Sequence, residues 1–150
     1  AKNAKFLLAS ELYAQRKFTE AGNLFRDYLG SSAAGPLAAA AQFGLAASQE
    51  ASGDTKEAKG NYELVISLHG TAPEALQARV ALAKLILAQS NPDTDKAKEL
   101  LLAASQESQA GRIPGFWGSE AERMLAPLLV QAEIEVGPDK GPTEDTKKDK

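Results

Sequence analysis

Apolar residues recur along this chain at helical spacing, in three segments that can be laid over one another. The first holds Leu8-Ala9, Leu12-Tyr13, Phe18-Thr19-Glu20-Ala21, Phe25 and Tyr28-Leu29. The second holds Leu45-Ala46, Thr55-Lys56-Glu57-Ala58, Tyr62 and Val65-Ile66, and the third Leu82-Ala83, Thr94-Asp95-Lys96-Ala97, Leu101 and Ala104. Leu8 to Ala21 and Leu45 to Ala58 are both 13 residues, and Leu82 to Ala97 is 15, with the extra two in the turn around Asn91-Pro92. A small residue followed by a large one at +4 and an apolar one at +7 marks one face of a helix. Each segment therefore predicts two helices that meet at a small residue: Ala21, Ala58 and Ala97.

Punctuation residues place the ends. Pro36 and Pro73 stand where helices are expected to begin, because a first-turn Pro forfeits no hydrogen bond. Thr71 before Glu74 and Ser119 before Glu122 read as capping boxes, and Asp54 before Glu57 as a cap with an acidic first turn. Gly30, Gly53, Gly70 and Gly111 fall near helix ends, where a left-handed cap residue is common. The pattern predicts seven helices, at 3–16, 18–30, 36–52, 54–69, 73–90, 93–110 and 119–134, with Pro127 expected to kink or split the last. Residues 1–136 form one helical repeat domain in this reading. Residues 137–150 are a polar tail unable to bury anything, expected to be disordered.

Composition narrows the picture. Apolar residues are 43% of the 150, yet aromatics are only 6%, and the abundance of Ala and Leu favours closely packed helices over strands. A net charge of −3 with interspersed signs argues against nucleic acid as a partner, which calls for a basic stripe. Without cysteine there are no disulfides or thiolate metal sites. No stretch approaches the roughly 20 apolar residues of a membrane span, so this segment is not expected to insert into a membrane. The sequence begins at Ala1 without Met, which leaves an upstream signal or anchor open.

Candidate chemistry is sparse. His69 is the single histidine and has no Ser or carboxylate at a telling spacing; it reads as a helix-end residue. Glu120/Glu122 and Glu133/Glu135 are two apart and diverge on a helix. Gly30 to Gly35 has no Lys of the kind a phosphate loop needs. No catalytic residue, metal or cofactor is expected, and the chain reads as a non-enzyme. The segment Ile113-Pro114-Gly115-Phe116-Trp117-Gly118 stands apart. Its Phe116 and Trp117 either tuck over the end of the helical stack or stand out as a partner contact, with Trp117 the first candidate hot spot if exposed. The Lys-Lys-Asp-Lys end reads as a solvated tail.

Ala9, Ala46 and Ala83 in the first helices, the three second-helix alanines, Phe25 and Tyr62 four residues after two of them, and the phrase Phe18-Thr19-Glu20-Ala21 resemble the tetratricopeptide repeat. The repeats are longer than that family's 34 or so residues, and Leu101 replaces the third aromatic. The resemblance implies a right-handed α-solenoid of about three helix pairs, covering residues 5–110, with a capping helix at 115–134. One continuous buried seam would run through it. It implies a concave groove lined by first helices, formed by Asn3, Phe6, Ser10, Tyr13, Phe43, Ala47, Glu50, Gln77, Val80 and Lys84. Phe6 and Phe43 stand where the family's carboxylate-clamping branch has polar residues, so the expected partner is an apolar protein segment or peptide. The alternative is that Phe6, Tyr13 and Phe43 fill the curve of a compact bundle. The Ala-rich form is similar to bacterial envelope proteins, among them the membrane-anchored accessory factor of the Sec translocon and outer-membrane-assembly lipoproteins. That implies a scaffold outside the cytoplasm, tethered by an upstream segment. A cytoplasmic location, and a self-association module forming homo-oligomers, are the competing readings.

Overall fold

The computed structural model of the chain describes residues 2–111 and 115–136. They form seven helices and no strand: α1 (Lys2–Ala14), α2 (Phe18–Ser32), α3 (Ala38–Ser52), α4 (Thr55–Leu68), α5 (Pro73–Leu87), α6 (Thr94–Gln109) and α7 (Phe116–Val136). Each helix packs on the next in chain order. The odd-numbered helices also touch in series, α1 on α3, α3 on α5 and α5 on α7. This is a solenoid of three helix pairs closed by α7, with the odd helices sharing one side. The tail at 137–150 and the residues Ile113 and Pro114 lie outside the described residues.

The pinch-point alanines behave as their spacing predicts. Ala9, Ala46 and Ala83 on the odd helices and Ala21, Ala58 and Ala97 on the even ones are all fully buried. A methyl group there lets two helix axes approach, and the ring or branched chain one turn on fills the remaining gap. Phe25, Tyr62 and Leu101 are those fillers, and all three are buried.

The buried apolar residues fall into two clusters that meet within α3. One apolar cluster joins α1, α2 and the start of α3 through Ala9, Ala21, Phe25, Tyr28, Ala41 and Leu45. A larger one begins at Ala46 and runs through Tyr62, Leu76, Leu82 and Leu101 to Ala121 and Leu125. Beside this junction α3 and α4 meet over amides. Gln42 Nε2 donates to Asn61 Oδ1 at 2.6 Å, and Asn61 Nδ2 donates to Gln49 Oε1 at 2.7 Å. Gln42 and Gln49 are buried. Removing one member of such a set would strand the others at about 1–3 kcal/mol each.

Helix ends differ from expectation in several places. Leu37, not Pro36, precedes α3, and α7 starts three residues before Ser119. Ala72 rather than Thr71 stands at the cap of α5, with Pro73 in its first turn; Asp54 occupies the α4 cap position without a side-chain cap bond. The side-chain cap that does form is on α6, where Asp93 Oδ1 accepts from Lys96 N–H at 3.0 Å. Gly53 and Gly111 take the left-handed conformation at φ 89° and 76°. Gly30 instead lies inside α2, and Gly70 follows the α4 cap residue His69 without a positive φ. α7 runs through Pro127 without splitting.

Candidate functional site

The odd helices enclose a groove of two connected lobes. The lobe toward the start of the chain, about 240 Å³, is lined by Phe6, Ser10 and Tyr13 of α1, Phe25 of α2, and Ala40, Phe43, Gly44 and Ala47 of α3. The other, about 520 Å³, is lined by Tyr13, Phe43, Ala47, Glu50 and Ala51, then Tyr62 of α4, Ala81 and Lys84 of α5, and Trp117 of α7. Tyr13, Phe43 and Ala47 belong to both, so the two form one trough. Helical spacing explains the set: 6, 10 and 13 share a face of α1, and 40, 43, 44, 47 and 51 share a face of α3.

The walls are fixed by ring contacts. Phe6 lies edge-on to buried Phe25 and Tyr28, with centroids 5.6 and 5.9 Å away. Tyr13 rests on Phe18 at 5.2 Å, and Phe43 on Tyr62 at 5.5 Å. Phe6 and Phe43 are half-buried and Tyr13 is exposed. One side of each ring packs against a neighbouring ring and the other faces the trough. Gly44 is required beneath them, since a Cβ there would stand 2.6 Å from Phe25 Cζ. Its absence lets the Phe25 ring reach the floor.

The second lobe has a polar edge. Tyr62 Oη donates to Glu50 Oε2 at 2.6 Å. Burial, then this bond to a carboxylate, pushes the phenol far above its ordinary range, so it stays a protonated donor. Opposite, Lys84 Nζ lies 3.2 Å from Glu120 Oε1, which also takes Arg123 Nη2 at 2.8 Å, while Arg123 Nε donates to Glu120 Oε2 at 2.9 Å. The hydrogen bonds from Arg123, then from Lys84, hold the Glu120 carboxyl down to about 2.

That depression has a testable sign. A carboxyl whose folded value is lowered contributes stability above its unfolded value, about 4.5, and loses it as pH falls toward 2. The thermal midpoint of the Glu120→Gln variant is therefore expected to fall less steeply over that window than that of the parent, by calorimetry at matched ionic strength. Equal slopes would mean the pair couples α5 to α7 in geometry only.

Seven of the expected groove residues line the trough: Phe6, Ser10, Tyr13, Phe43, Ala47, Glu50 and Lys84. Val80 does not; it is fully buried in the larger core cluster, because α5 is flanked on several sides and its apolar arc is wider than the inner face of α1. Gln77 is half-buried outside both lobes, and Asn3 sits at a separate surface depression beside Tyr28 and Gly35. The Phe116-Trp117 pair divides: Trp117 tucks against the core and forms a wall of the trough, while Phe116 points out at 69% exposure. Sequence reading missed Tyr62 as part of the floor. Its register signals core, and its hydroxyl emerges only because Glu50 lies 12 residues back on the facing helix.

His69 sits at the C-terminal cap of α4, where its N–H donates to Val65 O at 2.9 Å. Among the described residues no three His, Cys, Asp or Glu side chains converge as metal ligands, and no helix is long and apolar enough to cross a membrane.

No protein-family model matches this sequence, and no curated protein matches it closely enough to report. Solved structures do. The type III secretion chaperone SycD of Yersinia enterocolitica, in complex with a peptide of the translocator YopD, superposes with a TM-score of 0.70 at 16% identity, over 87% of this chain and 94% of that one. A putative kinesin light chain of Podospora anserina with nearly identical tetratricopeptide-like repeats gives 0.67 at 19% identity, over 89% and 68%. The fold of this chain is the tetratricopeptide-like solenoid.

Proposed function

We propose that this chain is a non-enzymatic scaffold that holds an apolar segment of a partner protein in the trough between its odd helices. The observation that carries the reading is the continuity of the two lobes across Tyr13, Phe43 and Ala47, with Trp117 closing the far end. An aromatic wall backed by rigid core and edged by few charges favours large apolar side chains at helical or extended spacing. Glu50 and Lys84 at the second lobe favour a polar flank on one side of that segment. The similarly folded SycD was solved with a bound peptide, which supports the class of partner.

Trp117 is the only tryptophan, so its emission reports the trough directly. Titration with a panel of short peptides bearing two or more large apolar residues is expected to shift that emission saturably. Phe43→Ala and Tyr13→Ala should each weaken binding at least about tenfold, as expected for central aromatic anchors. An emission that no peptide moves, or affinities unchanged in both variants, would sink the reading. The proposal extends to a location in the bacterial envelope, outside the cytoplasm, supported only by the resemblance of the Ala-rich repeats. Fractionation of cells expressing the full gene product tests it, and recovery in the cytoplasmic fraction would remove it.

A further inference from the structure

The two lobes of the trough differ in charge. No charged side chain lines the first lobe. Glu50 and Lys84 line the second, and they are not equivalent. Lys84 is matched, with its Nζ 3.2 Å from Glu120 Oε1 on α7. Glu50 is half-buried, and among the described residues it enters no ion pair. Its Oε2 accepts from the Tyr62 hydroxyl at 2.6 Å. A phenol brings a hydrogen bond but no charge, and Tyr62 is held protonated. The wall of the second lobe therefore carries an acidic side chain for which the described residues supply no cation.

Water screens that side chain while the lobe is open. A guest that covers the lobe removes the water, and an apolar group laid there would leave a carboxylate buried and uncompensated, which is costly. A cation beside Glu50 offsets that cost. The rest of the lobe suits one, since Tyr13, Phe43 and Trp117 line it together with Glu50. Ring faces attract cations, and they also cover the apolar stem of a lysine or arginine. Lys84 could serve instead only by giving up its pair with Glu120, which ties α5 to α7.

We infer that the second lobe is a subsite for a basic side chain of the partner segment, lysine or arginine, with its cation on Glu50 and its stem among Tyr13, Phe43 and Trp117. The subsite rests on the function proposed above, in which the apolar part of the same segment fills the first lobe. Along α3, Gly44 of the first lobe and Glu50 of the second are six residues apart, about 9 Å of helix rise. The basic residue is then about six or seven positions from the apolar anchor in a helical guest, or about three in an extended one.

Capped synthetic peptides with two leucines and one variable position, at either spacing, test this when titrated against Trp117 emission. The variable residue is Lys, Arg, norleucine or Glu. The Lys and Arg peptides are expected to bind at least about tenfold tighter than the norleucine peptide, and the Glu peptide weakest. Added salt should weaken the two basic peptides and leave the norleucine peptide nearly unchanged. Glu50→Gln keeps an acceptor for Tyr62 and should abolish the preference, and Glu50→Lys should transfer it to the Glu peptide. Should either variant lose helicity by circular dichroism, the parent's salt dependence decides, and a preference indifferent to salt overturns the subsite. Equal affinity for the Lys and norleucine peptides, or a preference that survives Glu50→Gln, overturns the subsite and leaves the apolar trough standing. Failure of every peptide to bind removes the trough reading and the subsite with it.

Discussion

Truncating Tyr62 to Ala is expected to remove about 3–5 kcal/mol of stability, a large share of the 5–15 kcal/mol typical of a domain. The residue is 2% exposed, fills the gap beside the Ala58 pinch, packs at a tilt against Phe43 and ties α4 to α3 through Glu50. Urea unfolding followed by circular dichroism measures the loss. Tyr62→Phe separates the ring from the hydroxyl: it should cost about 1.5–3 kcal/mol, the range for a hydrogen bond to a charged acceptor. The alkaline side gives an independent check. Because the folded phenol is raised above its ordinary 10.0, stability is whole below pH 10 and falls as pH climbs above it, where the unfolded chain can ionise this group and the folded one cannot. Followed at 295 nm, Tyr62 should resist ionisation until the fold is lost. A Tyr62→Ala variant within about 1 kcal/mol of the parent would show that α3 and α4 are held without it.

Enlarging the pinch points tests the repeat pattern itself. Ala58→Leu and Ala97→Leu insert three carbons where no surface is exposed. Each is expected to cost about 1–3 kcal/mol, toward the upper end because both neighbouring helices are already in contact. The two lie on different helices, α4 and α6, so the double variant should lose close to the sum. The exposed Ala51→Leu is the control and should stay within about 0.5 kcal/mol of the parent. If the pinch variants matched that control, the spacing of the alanines would carry no structural meaning.

The small-then-large rhythm was readable because backbone proximity leaves no alternative to Ala at those six positions. Type and order of α1 to α6 follow from it. What the rhythm does not carry is how wide each buried arc becomes. α1 is covered mainly by α2, so its inner face is narrow, and Phe6, Ser10 and Tyr13, groove positions implied by the tetratricopeptide resemblance, line the trough. α5 is touched by α3, α4, α6 and α7, so the same register put Val80 on a surface that does not exist. The amide set of Gln42, Gln49 and Asn61 was equally silent, since Asn61 is 19 and 12 residues from its two partners and no local pattern links them. Local signals misled at the caps. Thr71 and Ser119 have the capping-box spacing, but Pro73 and the Phe116-Trp117 pair decide where α5 and α7 start. The α1–α2 turn bears no glycine at all; Arg16 takes φ 63° there while Lys17 N–H reaches back to Leu12 O.

Contact that follows chain order also ranks the parts of the molecule by how easily they come loose. Trp117 belongs to α7, which among the described residues packs on α6 and α5. Releasing that helix exposes one end of the trough yet leaves α1 to α4 undisturbed, at a fraction of the free energy of global unfolding. On the proposed function, entry of a bulky segment would require no hinge within the solenoid: fraying at its terminus would be enough, and a guest that bridges Phe43 and Trp117 would hold the frayed helix shut.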